Sequence, residues 1–294
     1  MRLIALCPRS GRTGPDLLPL PDPVAVDPDA LSGQGDWTQA RLRSAEALWG
    51  EGYLFPGGAG EVRRLAMTLR LSASSSLLLL GMGSGGPTLT LAGELGVWVQ
   101  GCESDPYLAA VAARRIQRAG VALAKRASAE RWNPALPDFG RRRFDHAVTL
   151  DALRAARPDD VLAALAQAVK PGGQIALMET VAPALLDRSD PAVAAWLRLE
   201  RRDSGPPDPA SVARTLERLG LALHGAEDIS ARHMRQAVRG WRRRLRDLQA
   251  EHPDAARAAV LVEEAELWLR RVRLMRAGQI RMMLWLVSER GRAG

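Results

Sequence analysis

The chain has 294 residues and a mass of 31.8 kDa, and it is 47% hydrophobic and 25% charged, the make-up of a globular protein with one sizeable core. No apolar run reaches the ~18 residues that a bilayer crossing needs, residues 3–7 are too short for a secretion signal, and a cytoplasmic location is expected. Cys7 and Cys102 cannot make a disulfide framework, four histidines without a Cys/His cluster give no metal site, and the net charge of +8 sits from Ala231 onward, where 15 arginines face 7 acids.

Residues 1–35 carry Pro15, Pro19, Pro21, Pro23 and Pro28 without periodicity and read as a flexible arm. Residues 36–294 read as one domain. A helix is expected over 37–49, an irregular glycine-rich segment over 50–58 and a second helix over 59–69. Leu77 to Leu80 read as a strand buried on both faces, as in a parallel sheet. Gly81-Met82-Gly83-Ser84-Gly85-Gly86 follows, and a helix begins near Pro87. The next strand, 97–102, closes on Glu103. Helix 106–119, a strand at 121–124 and a strand at 144–150 come after it.

A helix over 159–169 stops at Lys170-Pro171-Gly172-Gly173, where each residue type favours a helix end. Strand 174–179 follows. Asp208 caps a helix with Pro209 in its first turn, and 221–224 is a sixth strand. Two arginine-rich helices, about 231–250 and 255–277, precede an apolar strand at 280–287. This alternation predicts an α/β fold with a parallel, Rossmann-like sheet covered by helices on both faces.

The glycine run carries the chemistry. Glycines allow a sharp turn and let backbone N–H groups approach a ligand with no Cβ in the way. Glu103 lies 22 residues after Gly81. A carboxylate at that strand end accepts hydrogen bonds from ribose hydroxyls. Gly81, Gly83 and Gly86 fit the dinucleotide spacing of an oxidoreductase. Gly81, Gly83 and Gly85 fit equally well the shorter turn of S-adenosylmethionine sites. The basic C-terminal region suits an anionic head group, a partner protein or plain solvent. Nucleic acid is not expected, because no interleaved aromatic motif accompanies the charge.

From about Trp49 to Ser288 the chain resembles a class I S-adenosylmethionine-dependent methyltransferase. Leu77 to Gly86 resembles the cofactor-binding motif, Phe144-Asp145 with Thr149-Leu150-Asp151 the fourth strand and its loop, and Lys170-Pro171-Gly172-Gly173 the turn before the fifth strand. Leu48-Trp49-Gly50-Glu51-Gly52-Tyr53 is similar to the segment before the motif in enzymes acting on phosphoethanolamine, sarcosine-type amines or lipid acyl chains, the last being the cyclopropane-synthase-like type.

The resemblance implies a seven-stranded sheet with an antiparallel last strand, and places a helical lid at about 231–278 before that strand. It implies S-adenosylmethionine as cofactor, held by Gly81, Met82, Gly83, Gly85, Glu103, Ser104, Ser128, Ala129 and Leu150. Tyr53 would offer its ring to the sulfonium, and Asp151 would be the polar group nearest the transferred methyl. Two positions depart from the family pattern. Leu79 stands where an acid usually precedes the first glycine, and Ser128-Ala129 stands for an acid-Ala pair.

The activity so implied is methyl transfer to nitrogen, oxygen or carbon of a small-molecule acceptor. Two rivals are a degenerate methyltransferase fold acting as a non-catalytic binding or partner subunit, motivated by Leu79 and Ser128, and a nucleotide-dependent oxidoreductase, motivated by Gly86.

Overall fold

A computed structural model of the chain describes residues 27–290. Most of the expected arm, residues 1–26, lies outside these described residues. The first elements are α1 (Pro28–Leu31), α2 (Gln39–Trp49), α3 (Gly58–Thr68), β1 (Ser76–Leu80), α4 (Gly86–Leu95) and β2 (Trp98–Glu103). Then come α5 (Pro106–Arg118), α6 (Val121–Ala124), β3 (Ala127–Arg131), β4 (Phe144–Leu150), a 3-10 turn (Ala152–Ala155), α7 (Pro158–Ala168) and β5 (Val169–Val181). The remainder is α8 (Pro191–Glu200), α9 (Pro209–Arg218), β6 (Leu221–Asp228), α10 (Ser230–Glu251), α11 (Ala255–Arg276) and β7 (Arg281–Glu289).

The helix starts follow from capping chemistry. Asp105, Asp190 and Asp208 each accept a hydrogen bond from a first-turn N–H, and each is followed by proline, whose missing N–H costs nothing there. The strands form one seven-stranded sheet in the order β3-β2-β1-β4-β5-β7-β6. The first five pair in parallel, whereas β7 runs antiparallel to both β5 and β6. Strand β1 explains the layering. Leu77 and Leu79 pack into the cluster under α2, α3 and α4, while Leu78 and Leu80 pack into the cluster under α7 and α9. All four are enclosed, each side chain contributing about 1.5–3 kcal/mol of apolar burial.

Two elements differ from the sequence expectation. Residues 121–124 form the one-turn helix α6, and the third strand is Ala127–Arg131. Residues 27–35, assigned to the arm by composition, begin with the short helix α1, and Leu31 packs against a small cluster around Leu42, Tyr107 and Leu108. No helix among the described residues is long and apolar enough to cross a membrane.

The glycine turn after β1 is clamped from outside the sheet. Gly52, at φ 85°, turns its carbonyl to the N–H of Gly86 at 3.0 Å. A Cβ at position 52 would lie 2.5 Å from the Gly86 Cα. On the other side, β5 braces the turn after β4, because the Glu179 carboxyl accepts the N–H groups of Ala152 and Leu153, both at 3.1 Å. Burial, reinforced by the charge of Asp151, pushes Glu179 up to about 8.

Two tests of stability follow from these contacts. Gly52→Ala is expected to lower the unfolding free energy in urea by about 1–3 kcal/mol. The control Gly60→Ala, whose Cβ meets nothing within 4 Å on α3, is expected to raise it by about 0.5–1 kcal/mol. Glu179 governs a pH effect. The folded chain keeps a proton there that the unfolded chain sheds above its ordinary 4.5, so the contribution is whole below that pH and lost as pH rises toward about 8. Urea unfolding across this window should show a shallower decline for Glu179→Gln, which has no proton to lose.

Candidate functional site

The carboxyl ends of β1 to β5, the start of β7 and helices α2, α5, α7, α8, α10 and α11 line a cavity of about 880 Å³ above the carboxyl edge of the sheet, the edge where open α/β sheets bind ligands. Its floor starts at the glycine turn. Gly81 and Gly83 both take left-handed backbone, φ 75° and 60°, which side chains with a Cβ rarely adopt. Space is short as well, since a Cβ on Gly83 would sit 2.9 Å from the Leu54 side chain.

Glu103, at the end of β2, faces this turn. Its carboxylate accepts N–H groups from Gly83 at 2.9 Å, Ser104 at 2.8 Å and Asp105 at 3.3 Å. Burial raises its pKa, and those N–H groups partly offset the rise. The two oxygens retain lone pairs for donors from the cavity. Trp132, just past β3, and Leu108 wall the same end. Residues 35–37 cross its mouth. The Trp37 N–H donates to Asp105 at 3.3 Å, and the Asp36 carboxylate lies 3.5 Å from Arg154 on the opposite wall.

Of the residues singled out by sequence, Gly81, Gly83, Glu103, Ser104, Leu150 and Asp151 line this cavity. The others lie elsewhere. Met82 is fully enclosed beneath the turn, with Thr88 donating to its sulfur. Gly85 is the cap of α4 and backs onto Ala112. Ser128 and Ala129 pair with Gln100 and Gly101 in mid-strand, because β3 starts later than the sequence expectation. The position past the third strand therefore belongs to Trp132.

Tyr53 likewise lies outside the main cavity. It faces a second cavity, of about 700 Å³, on the far side of the glycine turn, and its hydroxyl bonds Thr90 and the Gly86 carbonyl. Its neighbours Leu54 and Phe55 line the main cavity instead. Leu79 is buried in the core and leaves no acid beneath the turn.

The other half of the cavity is built largely from residues that periodicity did not reveal. Asp151 takes left-handed backbone at φ 52° and caps the 3-10 turn. One carboxylate oxygen accepts the Thr180 N–H at 3.0 Å, and the other meets Arg202 at 2.9 Å and Arg271 at 3.5 Å. Arg271 also reaches Glu200 at 3.1 Å. Burial opposes charge on Asp151, but Arg202, Arg271 and Arg154 outweigh it and hold the carboxyl well below the usual range. So held, it is a poor proton acceptor near neutral pH.

His233 on α10 lies against Trp268, ring centroids 5.7 Å apart, and burial with the nearby Arg271 pushes it down to about 3. It is therefore a neutral ring. Glu264, Leu267 and Trp268 on α11 complete the wall.

Comparison with known proteins agrees with this geometry. A family model described as a methyltransferase domain matches residues 78–177, which run from the leucine strand to the middle of β5. No curated relative matches the sequence. Among solved structures, the phosphoethanolamine N-methyltransferase 2 of Haemonchus contortus, in complex with phosphomonomethylethanolamine and S-adenosylhomocysteine, is similar at a TM-score of 0.76 and 15% identity, over 90% of this chain and 61% of that one. The geranyl diphosphate C-methyltransferase of Streptomyces coelicolor A3(2), in complex with Mg2+, geranyl diphosphate and S-adenosylhomocysteine, is similar at a TM-score of 0.61 and 13% identity, over 79% of this chain and 77% of that one. The chain thus spans 61% of the Haemonchus protein's length. Residues 78–177 carry the methyltransferase-domain pattern, and the chain around them takes the seven-stranded fold of these methyltransferases.

Proposed function

We propose that the chain binds S-adenosylmethionine at the Gly81–Glu103 end of the cavity and transfers its methyl group to a small-molecule acceptor held at the Asp151–Trp268 end. The observation that carries this reading is the pairing of Glu103 with a sealed helix end. A dinucleotide site needs the N-terminal donors of α4 free to meet a pyrophosphate. Here the first of them, the Gly86 N–H, is taken by the Gly52 carbonyl, and the Gly52 backbone fills the space in front of it. That disfavours the oxidoreductase alternative and leaves a pocket for a nucleoside without a diphosphate.

The residues present fit such a cofactor. Gly81 and Gly83 expose backbone, Glu103 offers acceptors to ribose hydroxyls, and Ser104 adds a hydroxyl beside it. When bound, the cofactor supplies a methyl group activated by its sulfonium. The protein supplies position and a dry wall. Leu150, Met178, Met282 and Trp268 give apolar surface between the two ends. The ion pairs of Asp151 and Glu200 with Arg202 and Arg271 brace that wall without lending it a base. In the same reading α10 and α11 act as a lid, since His233 and Trp268 reach the cavity from them.

Calorimetric titration of the purified chain tests the reading. Micromolar binding of S-adenosylmethionine and S-adenosylhomocysteine is expected, with no heat from NAD. Glu103→Ala should weaken both sulfur ligands about tenfold to a hundredfold. Silence with both in the wild type would turn attention to the non-catalytic partner role.

A further inference from the structure

Of the buried carboxylates that line the cavity, Glu264 alone has neither an ion-pair partner nor a backbone N–H donor among the described residues. Glu103 is held by three N–H groups, and Glu200 faces Arg271 at 3.1 Å. Glu264 is 6% exposed, and its one hydrogen bond comes from Trp268 Nε1 to Oε1 at 2.9 Å. Oε2 accepts nothing from the described residues. It is not among the fully enclosed orphaned polar atoms, and Glu264 is one of the residues that line the cavity.

The surroundings do not answer its charge. Helix α11 packs on α2, α8 and α10. From α2 comes Arg41, beyond ion-pair distance and set over the Trp37 ring; from α8 comes Glu200, a like charge; from α10 comes His233, held neutral. Arg271, two turns further along α11, is engaged with Asp151, Thr180 and Glu200. Burial raises the Glu264 pKa, and Arg41 and the Trp268 N–H only partly offset the rise. A carboxylate oxygen in such a wall is costly unless a cation or a proton meets it.

We infer that Glu264 Oε2 receives the reacting nitrogen of an amine acceptor that enters as an ammonium ion. The inference rests on the methyl-transfer reading and names its acceptor class. The ammonium gives one N–H proton to Oε2, leaving a neutral amine and a carboxylic acid. The freed lone pair forms the N–CH3 bond while the methyl–sulfur bond breaks. Its electron pair stays on sulfur, which becomes a neutral thioether, the product leaves as an N-methylammonium ion, and the Glu264 carboxylic acid then gives its proton to solvent. An alcohol would offer the carboxylate a hydrogen bond but no countercharge. In this scheme Trp268 is a positioning residue, since it fixes the oxygen opposite the one that acts.

The test loads the full chain with S-adenosylhomocysteine and titrates benzylamine against benzyl alcohol. The wild type should bind the amine about tenfold to a hundredfold more tightly than the alcohol. Glu264→Gln, which keeps a carbonyl oxygen for the Trp268 N–H, should lose that preference while binding S-adenosylhomocysteine as before. If the loaded wild type shows no preference for the amine, the inference is overturned with no substitution needed. It is equally overturned if Glu264→Gln keeps the preference. Failure of S-adenosylhomocysteine to bind the wild type is a separate result that removes the methyl-transfer reading and the inference together.

Discussion

One half-buried carboxylate, Asp151, ties together four stretches of chain that are far apart in sequence. The turn after β4 carries it, β5 donates the Thr180 N–H, the segment after α8 brings Arg202, and α11 brings Arg271. Arg202, Arg271 and Glu200 around it are buried, and charges so placed are stable only as a set. Taking one partner from a buried pair commonly costs about 3–5 kcal/mol, because the other is left uncompensated. The network therefore holds the inserted helices against the carboxyl edge of the sheet, and with them the wall of the cavity. It also explains why a residue so well placed for chemistry has a carboxyl already committed to structure.

The two halves of the cavity are made differently. At the Gly81–Glu103 end the surface is made mostly of backbone, through glycines and strand ends, with the Glu103 carboxylate as an anchored charged side chain. The opposite end consists of side chains on the connection after β5 and on the helices before β7. A division of this kind lets one sheet serve different acceptors, since the part that chooses lies outside the part that defines the fold.

How much of this was legible in the sequence depended on whether a residue's role left a periodic trace. The leucine strand, the glycine turn and Glu103 stood out because turn geometry and double-sided burial restrict residue types strongly. The helices 230–251 and 255–276 were legible within a residue or so. The third strand was missed because Ala-Ser-Ala-Glu-Arg pairs on one side only and carries no apolar alternation, whereas the more apolar Val121–Ala124 coils into a single turn. Tyr53 and Phe55 lie in irregular chain, where no period says which ring points to which cavity. Helix α8 escaped notice, and Glu200 with it. Arg271 and Glu264 resemble surface charge in an arginine-rich helix, and only the packing of α11 on α2 and α8 turns them inward.

The antiparallel insertion of β7 has a consequence for how the molecule is assembled. Val181 at the end of β5 pairs with Arg281, a hundred residues further along the chain. Until β7 arrives, β5 has an open hydrogen-bonding edge, and β6 has no neighbour in the sheet at all. Closing a loop of that length is entropically slow compared with the local β-α-β steps that build the first five strands. A sheet built only as far as β5 therefore presents an open edge of the kind that can pair with another chain, and β7 is the strand that covers it. The step that removes this edge also brings down the helical hairpin carrying Arg271, so this wall of the cavity and a complete sheet are reached together.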